Sequence, residues 1–412
     1  MELFQNWAKA KETLLEGLTD RKRDILAPVL ENQKLHLMET AASGVNTAGA
    51  ISNFQKIVIP MIRRIIPGTI ATELVGVQPL SGPVGLVYSM RFLYAETTNG
   101  TASAGTLTGG EDITAGDEAF SNNSKTKRYY STADVGTTGY PPALSANTTD
   151  GLVGTTANLE GFGGRAMTLD VLKQTVTAGS RKLQARWTPE AMQDLNASHG
   201  LNLESEMTAA LSAAIVSEID NEIINDLIAL AGTTDSFDMG ATFTGVPAYV
   251  GDRHAVLGVL INKVANEIAR KTRKGPANWI VVSPLVVSVL QSASKSVYVP
   301  ATQGNFEGPN NTKLVGTLNG NIKVYTYIYH DQGTEPILMG YKGGSGEMDA
   351  GYFYCPYIPL MSSGVVVDPN TFNPHVSLMT RYGKATFTSS STSLGNSADY
   401  YGRISVANLS FV

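Results

Sequence analysis

The sequence predicts an α+β protein, with long helices and sheet strands in separate stretches of the chain. Three observations carry this. From Leu203 to Ala231 apolar residues recur every four positions: Leu203, Met207, Leu211, Ile215, Ile219, Ile223, Leu227 and Ala231. That spacing keeps them on one face of an α-helix. Trp279 to Tyr341 reads as strand, helix and further strands. The last sixty residues return to strand patterns at 352–360, 376–382 and 403–411.

The elements follow in chain order. Residues 1–39 hold six basic and seven acidic residues, with Leu3, Phe4, Trp7, Leu14, Leu15 and Leu18 at helical spacing. Ile25, Leu26, Val29 and Leu30 begin a second short pattern around Pro28. This segment predicts amphipathic helix that needs a partner to bury its stripe. Composition changes abruptly at Thr40, and Ala, Gly, Ser and Asn dominate to about residue 53, which is linker chemistry. An apolar arm follows over 54–80. Its prolines Pro60, Pro67 and Pro79 oppose one long helix but allow short helical turns.

Leu86–Tyr94 has strand propensity. From 97 to 165 the chain is rich in Gly, Thr, Ala, Ser and Asn, without sustained apolar periodicity. That is too long for an ordinary loop, so a projecting excursion is expected. Strands return at 168–178 and 181–187, which makes the excursion the tip of a two-stranded arm. Thr188 and Pro189 open a short helix that ends near Gly200.

The stretch from Leu203 then makes a rod of roughly 43 Å at ~1.5 Å per residue, long enough to be the spine of a domain. Ala210, Ala214, Ile224 and Ile228 widen its apolar stripe, and Glu206, Glu218, Asp220, Glu222 and Asp226 mark the opposite face. No Lys or Arg occurs between Arg186 and Arg253. A one-signed face either is an ordinary solvated face, docks on basic groups such as Arg63, Arg64 or 270–274, or faces something it must repel. Residues 233–252 read as loop, 255–273 as a helix with a basic end, 279–283 as a buried strand, 284–292 as helix, and 322–329 and 336–341 as strands.

Composition narrows the function classes. The net charge is −5, which argues against wholesale nucleic-acid binding. Charged residues are 16% of the chain, below the ~25% usual for soluble proteins. Few charges and many small residues suit a chain that hides surface against neighbours, although long polar loops give the same composition. Cys355 is the single cysteine, so no intrachain disulfide forms. The N-terminus has no secretory pattern, and no apolar run is long enough for a membrane helix.

The search for catalytic chemistry returns nothing specific. The five histidines (His36, His199, His254, His330 and His375) lack metal-ligand spacing, and no cofactor is expected. Gly161–Gly164 does not follow the dinucleotide pattern, and Gly343–Gly346 is not a nucleophile elbow. Cys355, between Tyr354 and Pro356, reads as a small buried residue.

Longer strings carry a family resemblance. Tyr341-Lys-Gly343, Glu347-Met-Asp-Ala-Gly351 with Tyr354, Pro356-Tyr357 and Leu360, Phe372-x-Pro374 and Thr380-Arg-Tyr-Gly383 resemble the C-terminal part of the major capsid proteins of T-even-like tailed phages. Ser180-Arg-Lys-Leu183, Gln193-Asp-Leu195, His199-Gly200 and Glu218-Ile219 resemble the same family around its spine helix. Arg63-Arg64 through Pro67 to Ile70-Ala71, then Gly76-Val-Gln-Pro79, resemble its N-terminal arm.

The resemblance implies a Hong Kong 97-type capsid fold. It divides the chain into a scaffold-like segment 1–39, an arm 40–85, an extended loop 86–187, a peripheral domain (188–252 and 345–412) and an axial domain 253–344. It implies a non-enzymatic shell protein that binds copies of itself, meets vertex, decoration and portal proteins, and encloses DNA without reading its sequence. It also implies trimming by a prohead protease after Leu/Ile-x-Glu. Leu14-Leu-Glu16 and Leu37-Met-Glu39 both fit, and the composition break favours a cut between Glu39 and Thr40. Arg63, Arg64, Glu218, Glu222, Asp226 and Arg381 are the expected inter-subunit or lumen-facing charges. An encapsulin-like nanocompartment and a phage tail protein are the rival readings.

Overall fold

The computed structural model describes residues 11, 12, 15, 23–32, 69–95, 115, 116, 118, 119, 166–200, 202–238, 250–292, 298–300, 313–327, 335–343, 349–387 and 396–409. The helices are α1 (23–32), α2 (Ala71–Leu74), α3 (Pro189–His199), the spine α4 (Leu203–Leu230), α5 (Val250–Thr272) and α6 (Pro284–Ser292). The strands are β1 (Gly76–Val77), β2 (Val84–Tyr94), β3 (Met167–Thr177), β4 (Gly179–Arg186), β5 (Thr233–Asp238), β6 (Trp279–Val282), β7 (Tyr298–Pro300), β8 (Lys313–Leu318), β9 (Ile322–Thr326), β10 (Glu335–Gly340), β11 (Tyr352–Val367), β12 (Pro374–Thr386) and β13 (Tyr401–Ala407). The α+β class holds.

The spine forms as its four-residue spacing requires. Ile215, Ile219, Ile223 and Leu227 are buried, and Leu203, Met207 and Ala231 pack against the same core. Asn202 caps the first turn by accepting from the Glu204 N–H at 3.0 Å. Ahead of it, α3 is capped as expected, with Thr188 accepting from the Ala191 N–H and Gly200 closing the helix at φ +67°.

The strands form three sheets. The first has the order β1-β11-β12-β4, with β1 parallel to β11 and the other pairs antiparallel. It packs on the spine through Tyr354, Leu360, Val376 and Leu378. The second has the order β5-β13-β10-β6-β9-β8-β7 and carries its own core with α5 and α6. The third is the ribbon β2–β3, in antiparallel register from Val84 opposite Thr177 to Tyr94 opposite Met167. A small cluster of Leu80, Val87, Val176, Phe353, Cys355, Ala385 and Phe387 fixes the ribbon's base to the first sheet.

Several expectations are corrected. Residues 233–238, read as loop, form β5, which pairs in parallel with β13. Their side chains alternate toward solvent, so an apolar pattern is weak and the backbone ladder does the holding. Strands 233–238 and 401–407 therefore join the same sheet as β6 and β10, across the boundaries drawn at 253 and 344. Helix α5 starts five residues earlier than the 255 expected, and β11 runs seven residues beyond 360 to Val367. Strands β7 and β8 went unrecognised.

Of the excursion 97–165, residues 115, 116, 118 and 119 are described. They fold back on the ribbon's far end, where Ala119 N–H donates to Phe92 O and Gly116 N–H to Tyr94 O.

Each fully buried aliphatic side chain of the spine ridge contributes ~1.5–3 kcal/mol. Ile219→Ala, which removes a side chain with no exposure, is expected to cost ~2–5 kcal/mol in urea unfolding. A loss under ~1 kcal/mol would show that the ridge is not the core.

Candidate functional site: the seam between the spine helix and the sheet

Glu218, Glu222 and Asp226 stand four residues apart, so they share one face of the spine. On the sheet, Tyr382 and Lys384 alternate along β12 and so point to one side, joined by Tyr352 of β11 and Arg181 of β4. Helix period and strand period thus align two rows of side chains. The Arg181 guanidinium donates to Glu218 at 2.9 Å and to Glu222 at 2.7 Å. Lys384 donates to Glu222 at 2.9 Å and to Asp226 at 2.6 Å. The Tyr382 hydroxyl donates to Glu222, and the Tyr352 hydroxyl to Asp226 at 2.9 Å. The Tyr354 and Tyr382 rings pack at 5.4 Å beneath them.

The sequence offered no cation between Arg186 and Arg253. The fold brings two from outside that window, so Glu218, Glu222 and Asp226 are laced to their own sheet. Partial burial alone would raise Glu222, but hydrogen bonds from Tyr382 and Lys384 and the charges of Lys384 and Arg181 hold it below the usual carboxylate range. Burial alone would lower Lys384, yet its hydrogen bonds to Asp226 and Glu222 carry it above the ordinary lysine value. Desolvation and Asp226 together keep the Tyr352 hydroxyl protonated.

Exposed ion pairs contribute only ~0–1 kcal/mol each, far less than the ridge. The seam therefore decides how the spine is rotated on the sheet, and the ridge decides that it binds at all. Three carboxylates against two cations leave the seam net negative.

Two other expected charges lie elsewhere. Asp220 is not on the outer acidic face. It is 2% exposed, and its carboxylate accepts from the Ile70 N–H at 2.9 Å. Arg381 points to the opposite side of the sheet, where it lies 5.3 Å over the Tyr357 ring. Glu39, Thr40, Arg63 and Arg64 lie outside the described residues.

Asp220 belongs to a second device that sequence reading missed. The short helix α2 ends in carbonyls without helical partners. Lys342, 4% exposed, donates its ammonium to Thr72 O at 2.8 Å and to Val75 O. Asn278 fixes the Lys342 backbone on both sides, accepting from its N–H and donating to its carbonyl. A buried carboxylate at one end of α2 and a buried ammonium at the other clasp the arm before it enters the sheet as β1.

The string Tyr341-Lys-Gly343 now has a physical reading. Lys342 holds the arm, and a Cβ on Gly343 would sit 2.3 Å from an Asp349 carboxylate oxygen. Cys355 is fully buried, and desolvation pushes its thiol up to about 12, so it stays neutral and inert. Among the described residues no cluster of His, Cys, Asp and Glu has metal-binding geometry.

Because Glu222 is held below its unfolded value, its contribution is full near neutrality and fades as pH falls through its folded value. The thermal midpoint should therefore drop as pH falls through and below the ordinary carboxylate range, and Glu222→Gln should flatten part of that drop. An identical pH profile for the variant would remove Glu222 from the acid response. Lys342→Met leaves Thr72 O and Val75 O without that donor, at ~1–3 kcal/mol per buried group. Hydrogen exchange at amides 70–77 should accelerate at least tenfold in that variant, and unchanged protection would refute the clasp.

Comparison with known proteins places this geometry. The family model described as major capsid protein Gp23 matches residues 51–406. The major capsid protein of Vibrio phage KVP40 is 32% identical over 507 aligned positions, spanning 97% of this chain and 96% of that protein. The major capsid protein of Enterobacteria phage T4 is 30% identical, spanning 82% of this chain and 76% of the relative. A solved chain from Mycobacterium phage Cain covers 83% of this chain and 92% of its own length at 10% identity and a TM-score of 0.45. With its family match running from the arm to β13, the chain belongs to the Gp23 family of major capsid proteins, the structural subunits of phage heads.

Proposed function

We propose that this chain builds the phage head by self-assembly, as a Hong Kong 97-type subunit forming hexamers around double-stranded DNA. The observation that supports this is the ribbon β2–β3. Val84, Leu86, Tyr88, Met90 and Phe92 alternate along β2 and so share one face, and Val171 and Leu169 stand opposite Met90 and Phe92. All seven are exposed, Met90 at 67% and Phe92 at 53%. A row of this kind on a two-stranded ribbon is unstable in water. A neighbouring copy is the partner that a shell supplies at every position.

The remaining roles follow from this reading. The subunit is structural and not an enzyme. It is assembled in the host bacterial cytoplasm, resides in the virion, and meets vertex, decoration and portal proteins. Arg63, Arg64 and Arg381 are the charges this reading assigns to contacts with neighbouring copies. The net-negative seam at Glu218, Glu222 and Asp226 suits a lumen that must not bind its DNA. A prohead protease cuts between Glu39 and Thr40.

Met90→Asp with Phe92→Asp should give folded subunits with unchanged circular dichroism that fail to form shells by negative-stain microscopy. Closed shells at normal yield would overturn the role of the ribbon. For the unaltered chain, tubes would select a tail protein, and closed particles holding enzyme cargo but no DNA would select a nanocompartment.

A further inference from the structure

The N-terminal segment is expected to need a partner for its apolar stripe, and Leu3, Phe4, Trp7, Leu14 and Leu18 of that stripe lie outside the described residues. The second short pattern, in α1, finds its partner within its own chain. Ile25, Leu26, Val29 and Leu30 are 0–3% exposed, while Arg23, Asp24 and Pro28 face solvent. The four share one core cluster with Ile70, Ala71 and Leu74 of the arm and Ile215, Ile219 and Ile223 of the spine. Polar contacts close both ends. The Asn32 side-chain amide donates to Leu80 O at 2.7 Å, Lys11 pairs with Glu31 at 2.8 Å, and Arg23 donates to Leu15 O at 3.1 Å. Leu15 itself packs against the same cluster.

We infer that the spine and the arm anchor form a helix-binding trough whose occupant is the chain's own residues 23–32, held by packing and independently of the covalent link that follows it. Its apolar stripe is as dry as the spine ridge, and it touches the arm at Leu80, beyond the point where Lys342 clasps it. The segment is thus a plug that completes the subunit core and fastens the arm anchor from a third side. A cut near residue 39 does not release it. Departure requires opening the core, so chain cleavage and loss of the segment are separate events. This inference rests on the packing of 23–32 and not on where a prohead protease acts.

The test uses the full chain with a site-specific protease sequence introduced between Glu39 and Thr40. After cutting at micromolar concentration, fragment 1–39 should co-elute with the body in size exclusion and appear bound in native mass spectrometry. The thermal midpoint should stay within about 3 °C of the intact chain. The same cut in a Leu26→Asp, Val29→Asp chain should release the fragment. Release from the unsubstituted chain without a fall in midpoint would overturn the inference. If the doubly substituted chain does not fold, hydrogen exchange on the intact chain decides. Amides of 25–30 should be protected to within tenfold of those at 215–223, and rapid exchange there would equally overturn it.

Discussion

The part of the molecule built around the spine depends on one apolar ridge. Leu211, Ile215, Ile219, Ile223 and Leu227 line a single face of the spine and are shared by the sheet, the arm anchor and the N-terminal helix. The arm anchor and the N-terminal helix are too small to hold a core alone. The arm contributes a four-residue helix and a two-residue strand, and α1 is ten residues, below the length at which isolated helices are stable. Burial against the ridge is what makes them structure. A long straight helix serves this purpose because it presents one dry surface across the width of a domain.

Polar groups then determine how the parts sit on that ridge. Apolar contact is nearly indifferent to rotation, whereas hydrogen bonds and ion pairs are not. The Arg181–Glu222–Lys384 seam sets the spine's rotation on the sheet, and the Asp220 and Lys342 clasp sets the arm's path between them. The two devices differ in environment. The seam is half-exposed and therefore modest and pH-sensitive. The clasp is buried, so removing either member leaves desolvated groups behind and costs more.

The exposed apolar rows show the opposite pattern. The ribbon carries its apolar residues outward, and the tip of β11 and β12 exposes Val365, Val366, Val367 and Phe372. In a family whose members are shell subunits, the surface left incomplete in one copy is the natural place for a second copy to finish it.

Much of this was legible from residues alone. The spine, its ridge, the Thr188 cap, the strand β6 with helix α6 and both ribbon strands follow from local periodicity and capping, which a linear reading detects. The long strings around Tyr341–Gly383 also carried the family. What stayed hidden shares one physical cause, since it depends on contacts between residues far apart in sequence. A polar strand such as β5 exists because β13 offers a parallel ladder. Asp220 reads as an outer acid until Ile70, 150 positions away, donates to it. Lys342 reads as one lysine in a motif until the arm carbonyls arrive. The spine's face is acid-only in its own stretch of chain and is met by cations in space, because Arg181 and Lys384 come from strands on either side of it. The sequence by itself determined which segments become helix and strand and which faces are apolar. Only the tertiary structure decided which charges are paired, where the N-terminal helix is seated and which apolar faces stay exposed, because each of those is a sum over partners that no single segment contains.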